Sequence, residues 1–208
     1  HVKCAADLRN VEAPSLSSDF TKKTLELTKR TLEFYKDSDA PTYATGFSPS
    51  MVLRKSLCPE AFQDTVLHKY MEEDPDAVAA AMKNLAEGIS AINEALIKEG
   101  GVEGIYLSVN NQCNFFPDEF YLKYIAPSNN ANKLSNINLL HICGYHGRTN
   151  NLNLFTDFDA AAINFAVYVE GVSLKDGKKL FGGKPVFGGY AQDKTIYTGT
   201  EQEVKEFA

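Results

Sequence analysis

Leu139-Leu140-His141-Ile142-Cys143-Gly144 is the stretch that decides how this chain folds. The run from Ile137 to Cys143 is mostly apolar, short and bounded by polar turn residues, the pattern of a strand buried in a parallel sheet. Side chains alternate faces along a strand, so His141 and Cys143 point the same way, about 6.5 to 7 Å apart. Gly144 ends the strand and releases the chain into Tyr-His-Gly-Arg-Thr-Asn-Asn, residues 145–151. An imidazole and a thiol on one face at a strand end can both reach a borderline metal such as Zn²⁺. The same two side chains serve equally as core filling, a packed ring and a small hydrophobe.

Working outward, four more strands are predicted: Pro41–Phe47, Gly104–Val109, Ala162–Val169 and Lys184–Tyr190, with the central one spanning Asn136–Gly144. Helical patterns separate them. Ser18-Asp19 caps a helix to about Tyr35, and Ser48-Pro49 turns into a short helix, Met51–Leu57. Asp74 fits an N-cap and Pro75 the first helical position of the longest helix, which Gly100-Gly101 stop. Its stripe of Val78, Met82, Leu85, Ile89, Ile92 and Leu96 marks a face for the core. Pro117-Asp118-Glu119 opens another helix, limited by Pro127, and Glu201 begins the last. Ala5 to Ser18 reads as a polar lead-in. Strands alternating with helices indicate right-handed βαβ units and a parallel sheet. No glycine-rich dinucleotide fingerprint follows the first strand. No linker or repeat divides the chain, so residues 1–208 read as one domain.

The length, 208 residues, is enough for one sizeable core. A net charge of −6 without a basic stripe argues against nucleic acid as partner. No run approaches the roughly 18 apolar residues of a membrane span. The four cysteines, Cys4, Cys58, Cys113 and Cys143, are few and scattered, which reads as reduced thiols in a cytoplasmic protein. His at position 1 and a helical pattern running into the C-terminal end read as a piece of something longer.

Several segments in order carry a family resemblance: Gly46-Phe47-Ser48-Pro49, Gly104-Ile105-Tyr106-Leu107-Ser108, Leu140-His141-Ile142-Cys143-Gly144, Ala162-Ile163-Asn164-Phe165 and Lys184-Pro185-Val186-Phe187-Gly188-Gly189, with Gly199-Thr200 and Glu203-Val204 after them. Together they resemble the uroporphyrinogen decarboxylase family, which includes the cobalamin-dependent thiol methyltransferases. The resemblance implies an α/β fold of the (β/α)₈ TIM-barrel type, here a partial barrel of about strands three to seven. It also implies chemistry at the C-terminal rim of the strands and a homodimer as the assembly to expect.

Two chemistries follow from that resemblance. The methyltransferases bind Zn²⁺ through a His-x-Cys on this strand and a second Cys near the C-terminus, and move a methyl group from a corrinoid to a thiol. His141 and Cys143 match two of those metal ligands. The third is expected past Ala208, and Cys113 is the nearest substitute if the native chain ends there. The donor would be a corrinoid, free or carried on a corrinoid protein, and the partner a small-molecule thiol. The decarboxylases instead hold a tetrapyrrole and release CO₂ without a cofactor. Ser108 and Tyr106 match substrate-contacting positions of theirs, but the tyrosine expected after Ser-Pro falls at Lys55, and the decarboxylases lack the His-Ile-Cys-Gly pair. The balance favours methyl transfer. Asn110, with Asn111 and Gln112, lies at the same rim as a substrate contact, and Gly188-Gly189 would admit a large planar ligand close to the backbone. A third reading is a family member that binds a corrinoid or porphyrin without catalysis. His146 is a weaker ligand candidate in the loop after the strand, and His68 and Cys58 show no partner in the sequence pattern.

Overall fold

The computed structural model describes residues 2–57, 65–131, 137–145, 147–189 and 195–207. Cys58, His146 and Tyr190, all named above, lie outside the described residues. Five strands, β1 (Tyr43–Phe47), β2 (Gly104–Val109), β3 (Leu139–Ile142), β4 (Ala162–Phe165) and β5 (Val186–Phe187), pair in parallel in the order β1-β2-β3-β4-β5. The fold is therefore α/β, built on one parallel sheet whose strand order never reverses. With right-handed crossovers, an unreversed order carries every connection to the same face of the sheet.

The burial pattern agrees. Leu140 and Ile142 of β3 and Ile163 and Phe165 of β4 are fully buried, and Leu139, His141, Ala162 and Asn164 between them are half-buried. Ile105, Leu107 and Val109 of β2 continue the buried face. The helices are α1 (Asp19–Phe34), α2 (Pro49–Leu57), α3 (Thr65–Glu73), α4 (Pro75–Lys98), α5 (Asp118–Phe120), α6 (Ala126–Asn129), α7 (Val167–Glu170), α8 (Leu174–Leu180), α9 (Thr195–Thr198) and α10 (Glu201–Phe207). The α4 stripe joins the strand residues in one hydrophobic cluster. Each such side chain contributes about 1.5–3 kcal/mol by leaving water.

Helix α4 begins as its sequence dictates. Pro75 sits in the first turn, and Asp74 accepts a hydrogen bond from the Ala77 amide (3.0 Å). Asp74 also holds Arg9, whose Nη1 and Nη2 both donate to it, the latter at 2.9 Å. Those bonds from Arg9, with the Ala77 amide, keep the Asp74 carboxyl below the usual carboxylate range. A depressed native pKa stabilises the fold above the unfolded value of about 3.9 and loses that effect as pH falls through the native one. The melting temperatures of wild type and Asp74→Asn should differ most at about pH 6 and converge toward about pH 3. Asn still caps, so the comparison isolates the charge.

Several expectations are corrected. The lead-in contains a 3-10 helix, Ala5–Asn10, whose Leu8 is fully buried. Strand β4 stops at Phe165, and Val167–Glu170, predicted largely as strand, forms α7, closed by left-handed Gly171. Of the predicted Lys184–Tyr190, the ladder pairs only Val186–Phe187 among the described residues. Pro127 does not limit its helix. The chain widens into a π turn, Tyr121–Ile125, and continues through Pro127 to Asn129. Proline lacks an N–H and crowds the carbonyl one turn back, and a wide turn relieves both.

Gly177 shows how tightly α8 sits on the sheet. A Cβ there would lie 2.6 Å from Cζ of buried Phe165. Gly→Ala in a helix normally gains up to about 1 kcal/mol. Here the sign reverses: Gly177→Ala should destabilise by about 1–3 kcal/mol in urea unfolding, because the ring must move.

Candidate functional site

The face of the sheet opposite the helices carries the polar side chains. Parallel register puts Phe47 beside Ser108, Ser108 beside His141, His141 beside Asn164 and Asn164 beside Phe187. One row of β3 thus presents an imidazole between a hydroxyl and an amide. Cys143 follows on the same side. Its amide donates to the Val109 carbonyl (2.8 Å), so the β2–β3 ladder, and with it the alternation of faces, runs one residue past Ile142. His141 and Cys143 are both half-buried.

His141 is held on two sides. Its ring stacks on Tyr106, with centroids 5.2 Å apart and planes 24° off parallel. Its Nδ1 lies 2.6 Å from Asn164 Oδ1, which also accepts from the Tyr106 hydroxyl (2.7 Å). Asn164 Nδ2 donates to the Phe187 carbonyl (2.9 Å). His141 Nε2 has no hydrogen-bond partner among the described residues. Burial raises the Tyr106 phenol pKa above its ordinary value, and the Cys143 sulfur adds to the shift.

A rim network surrounds Cys143. Its carbonyl accepts from Gln112 Nε2 (2.8 Å) and Asn150 Nδ2 (3.1 Å). Asn150 also donates its amide N–H (2.8 Å) and Nδ2 (2.7 Å) to Glu170. A Cβ on Gly144 would lie 2.8 Å from Glu170 Oε1, 3.1 Å from Ala166 Cβ and 3.3 Å from Val169 Cγ1. Burial pushes the Glu170 carboxyl upward despite the Asn150 bonds. Burial also raises the Cys143 thiol, Lys55 opposes that, and Glu170 adds to it. Left to the protein alone, the thiol stays protonated, and deprotonation needs further positive charge.

The other predicted residues are placed as follows. The Ser108 hydroxyl is buried and turns toward Met51 Sδ (3.6 Å), a weak acceptor. Asn110 Oδ1 accepts from Arg54 Nη1 (3.5 Å), whose guanidinium lies 4.0 Å over the Phe115 ring. Gly188 is half-exposed, and a Cβ there would meet Val167 Cγ2 at 2.6 Å and Leu174 Cδ2 at 3.2 Å. At Gly189 a Cβ would meet nothing within 4 Å among the described residues. Cys113 is exposed, in the left-handed region at φ 55°, and lines a cavity of about 480 Å³ with Arg54, His68, Gln112 and Arg148. His68 stacks on Phe115 there and bonds its carbonyl (2.8 Å). Among the described residues no three His, Cys, Asp or Glu side chains gather as a metal site. None of Cys4, Cys113 and Cys143 is in a disulfide.

Three site residues escaped the sequence reading as chemistry. Asn164 was legible, because an amide between Ile163 and Phe165 in a buried strand breaks the apolar run on the face His141 uses. Asn150 and Glu170 come from loop and helix and gave no comparable signal. No helix among the described residues is long and apolar enough to cross a membrane. No protein-family model matches the chain, and no curated protein matches it.

Proposed function

We propose that the chain is part of a (β/α)₈ barrel of the uroporphyrinogen decarboxylase family, and that its polar sheet face serves zinc-dependent transfer of a methyl group from a corrinoid to a thiol. An unreversed run of parallel strands is what a segment of such a barrel requires. The observation that carries the chemistry is His141. Its Nδ1 is engaged by Asn164, its Nε2 has no partner among the described residues, and Cys143 follows on the same face of the sheet. A zinc-ligating histidine takes this form, one ring nitrogen on the metal and the other N–H on a carbonyl.

The donor set fits two zinc ligands, one nitrogen and one sulfur. The described residues supply no third, which the resemblance puts past Ala208. When bound, Zn²⁺ supplies the positive charge that takes the proton from a coordinated thiol. The chain's own residues do the rest. Tyr106 and Asn164 hold the imidazole, Gln112 and Asn150 hold the Cys143 carbonyl, and Lys55 lends positive charge to the sulfur. The test is zinc content of the purified full-length protein together with methyl transfer from methylcobalamin to a thiol, followed by cobalamin absorbance. One zinc per chain and thiol-dependent demethylation are expected. No bound zinc, or release of CO₂ from uroporphyrinogen instead, overturns the reading.

A further inference from the structure

We infer that Asn164 is the positioning residue of the site: it holds the His141 ring as the tautomer protonated at Nδ1, so that the lone pair lies on Nε2. The Phe187 carbonyl can only accept a hydrogen bond, so the Asn164 atom 2.9 Å from it is the NH₂ group. That choice turns Oδ1 toward Tyr106 and His141. A carbonyl oxygen has two lone pairs, and it receives the Tyr106 hydroxyl at 2.7 Å and His141 Nδ1 at 2.6 Å. Oδ1 has no proton to give, so at that distance His141 Nδ1 must be the donor. A neutral imidazole carries one N–H, and with it on Nδ1 the Nε2 atom is left as acceptor.

The tautomer of a β3 side chain is thus set by a carbonyl on β5, two strands away. Tyr106 takes a new part. Its phenol is committed to Asn164, and its ring backs the imidazole, so it supports His141 rather than contacting substrate through its hydroxyl.

The inference rests on the zinc reading only for its consequence, since the tautomer can be read without metal. The experiment is nitrogen NMR of the histidine rings in the metal-free full chain, at a pH where they are neutral, with His141→Gln to assign the signals. In wild type, Nδ1 of His141 should be of the protonated type and Nε2 of the unprotonated type. Asn164→Leu should move the proton toward Nε2. Asn164→Asp should keep it on Nδ1, since a carboxylate still accepts there although it cannot serve Phe187. Zinc titration should show affinity about 10–100-fold weaker in Asn164→Leu and restored in Asn164→Asp. A wild-type ring protonated at Nε2 overturns the inference without any variant, so a Leu variant that fails to fold does not shield it. An unchanged tautomer or unchanged zinc affinity in folded Asn164→Leu overturns it as well, leaving the zinc proposal standing. The expected tautomers in a wild type that binds no zinc support the inference and sink the zinc proposal.

Discussion

Leu140→Ala is expected to lower the unfolding free energy by about 2–5 kcal/mol. A domain of this kind holds a total of about 5–15 kcal/mol, so this one change can remove a third of it or more. Leu140 has no exposed surface and sits in register between Leu107 and Ile163 on the buried face of the central strand. Shortening it opens a cavity where neighbours on three strands meet, and a sheet tied by hydrogen bonds on both sides of β3 collapses into that space poorly. Urea unfolding at constant m-value measures the loss. Leu139→Ala is the control. Its side chain lies on the half-buried face, and the cost should be distinctly smaller. Equal costs would mean that the two faces of β3 are not divided between core and site as described.

Removal of a metal ligand has the second large effect. In the zinc assay, His141→Ala and Cys143→Ser should each weaken zinc by more than about 100-fold, beyond what loss of a supporting residue costs. An alanine offers no donor. A serine hydroxyl holds its proton far more firmly than a thiol and makes a poor partner for this metal. Both sites are half-buried and outside the core cluster, so both variants should stay folded, and circular dichroism checks that. Cys113→Ser should leave zinc unchanged, because that thiol lines the cavity of His68 and Arg148. Loss of zinc in Cys113→Ser with retention in Cys143→Ser would move the metal to that cavity.

Much of this architecture was legible because periodicity is a local property. Leu140 and Ile142 against His141 and Cys143 announce both a strand and its division into two faces. Asp74-Pro75 and Gly100-Gly101 bracket α4 by capping chemistry alone. What escaped depends on partners distant in sequence. Leu8 earns a 3-10 turn only because a core lies under it. Val167–Glu170 has the β-branched composition of a strand, yet the strand before it has already reached the rim. The π turn before Pro127 is a compromise between a helix pattern and a missing donor, and no spacing rule gives its outcome. In the site, His141 and Cys143 were visible because they share a strand. The bonds that orient them come from Asn164, Asn150 and Glu170 on other elements, and only the folded chain brings those together.

Along β3 and the residue after it, Leu140 and Ile142 face the core while His141 and Cys143 face the site. Substitution can therefore damage either function alone. Insertion or deletion of one residue cannot, because a frame slip by one would send the imidazole into the hydrocarbon and a leucine into the site. Descendants of this sequence are free to lengthen the loops at either end of the strand, but between 139 and 143 the count of residues is as constrained as their identity.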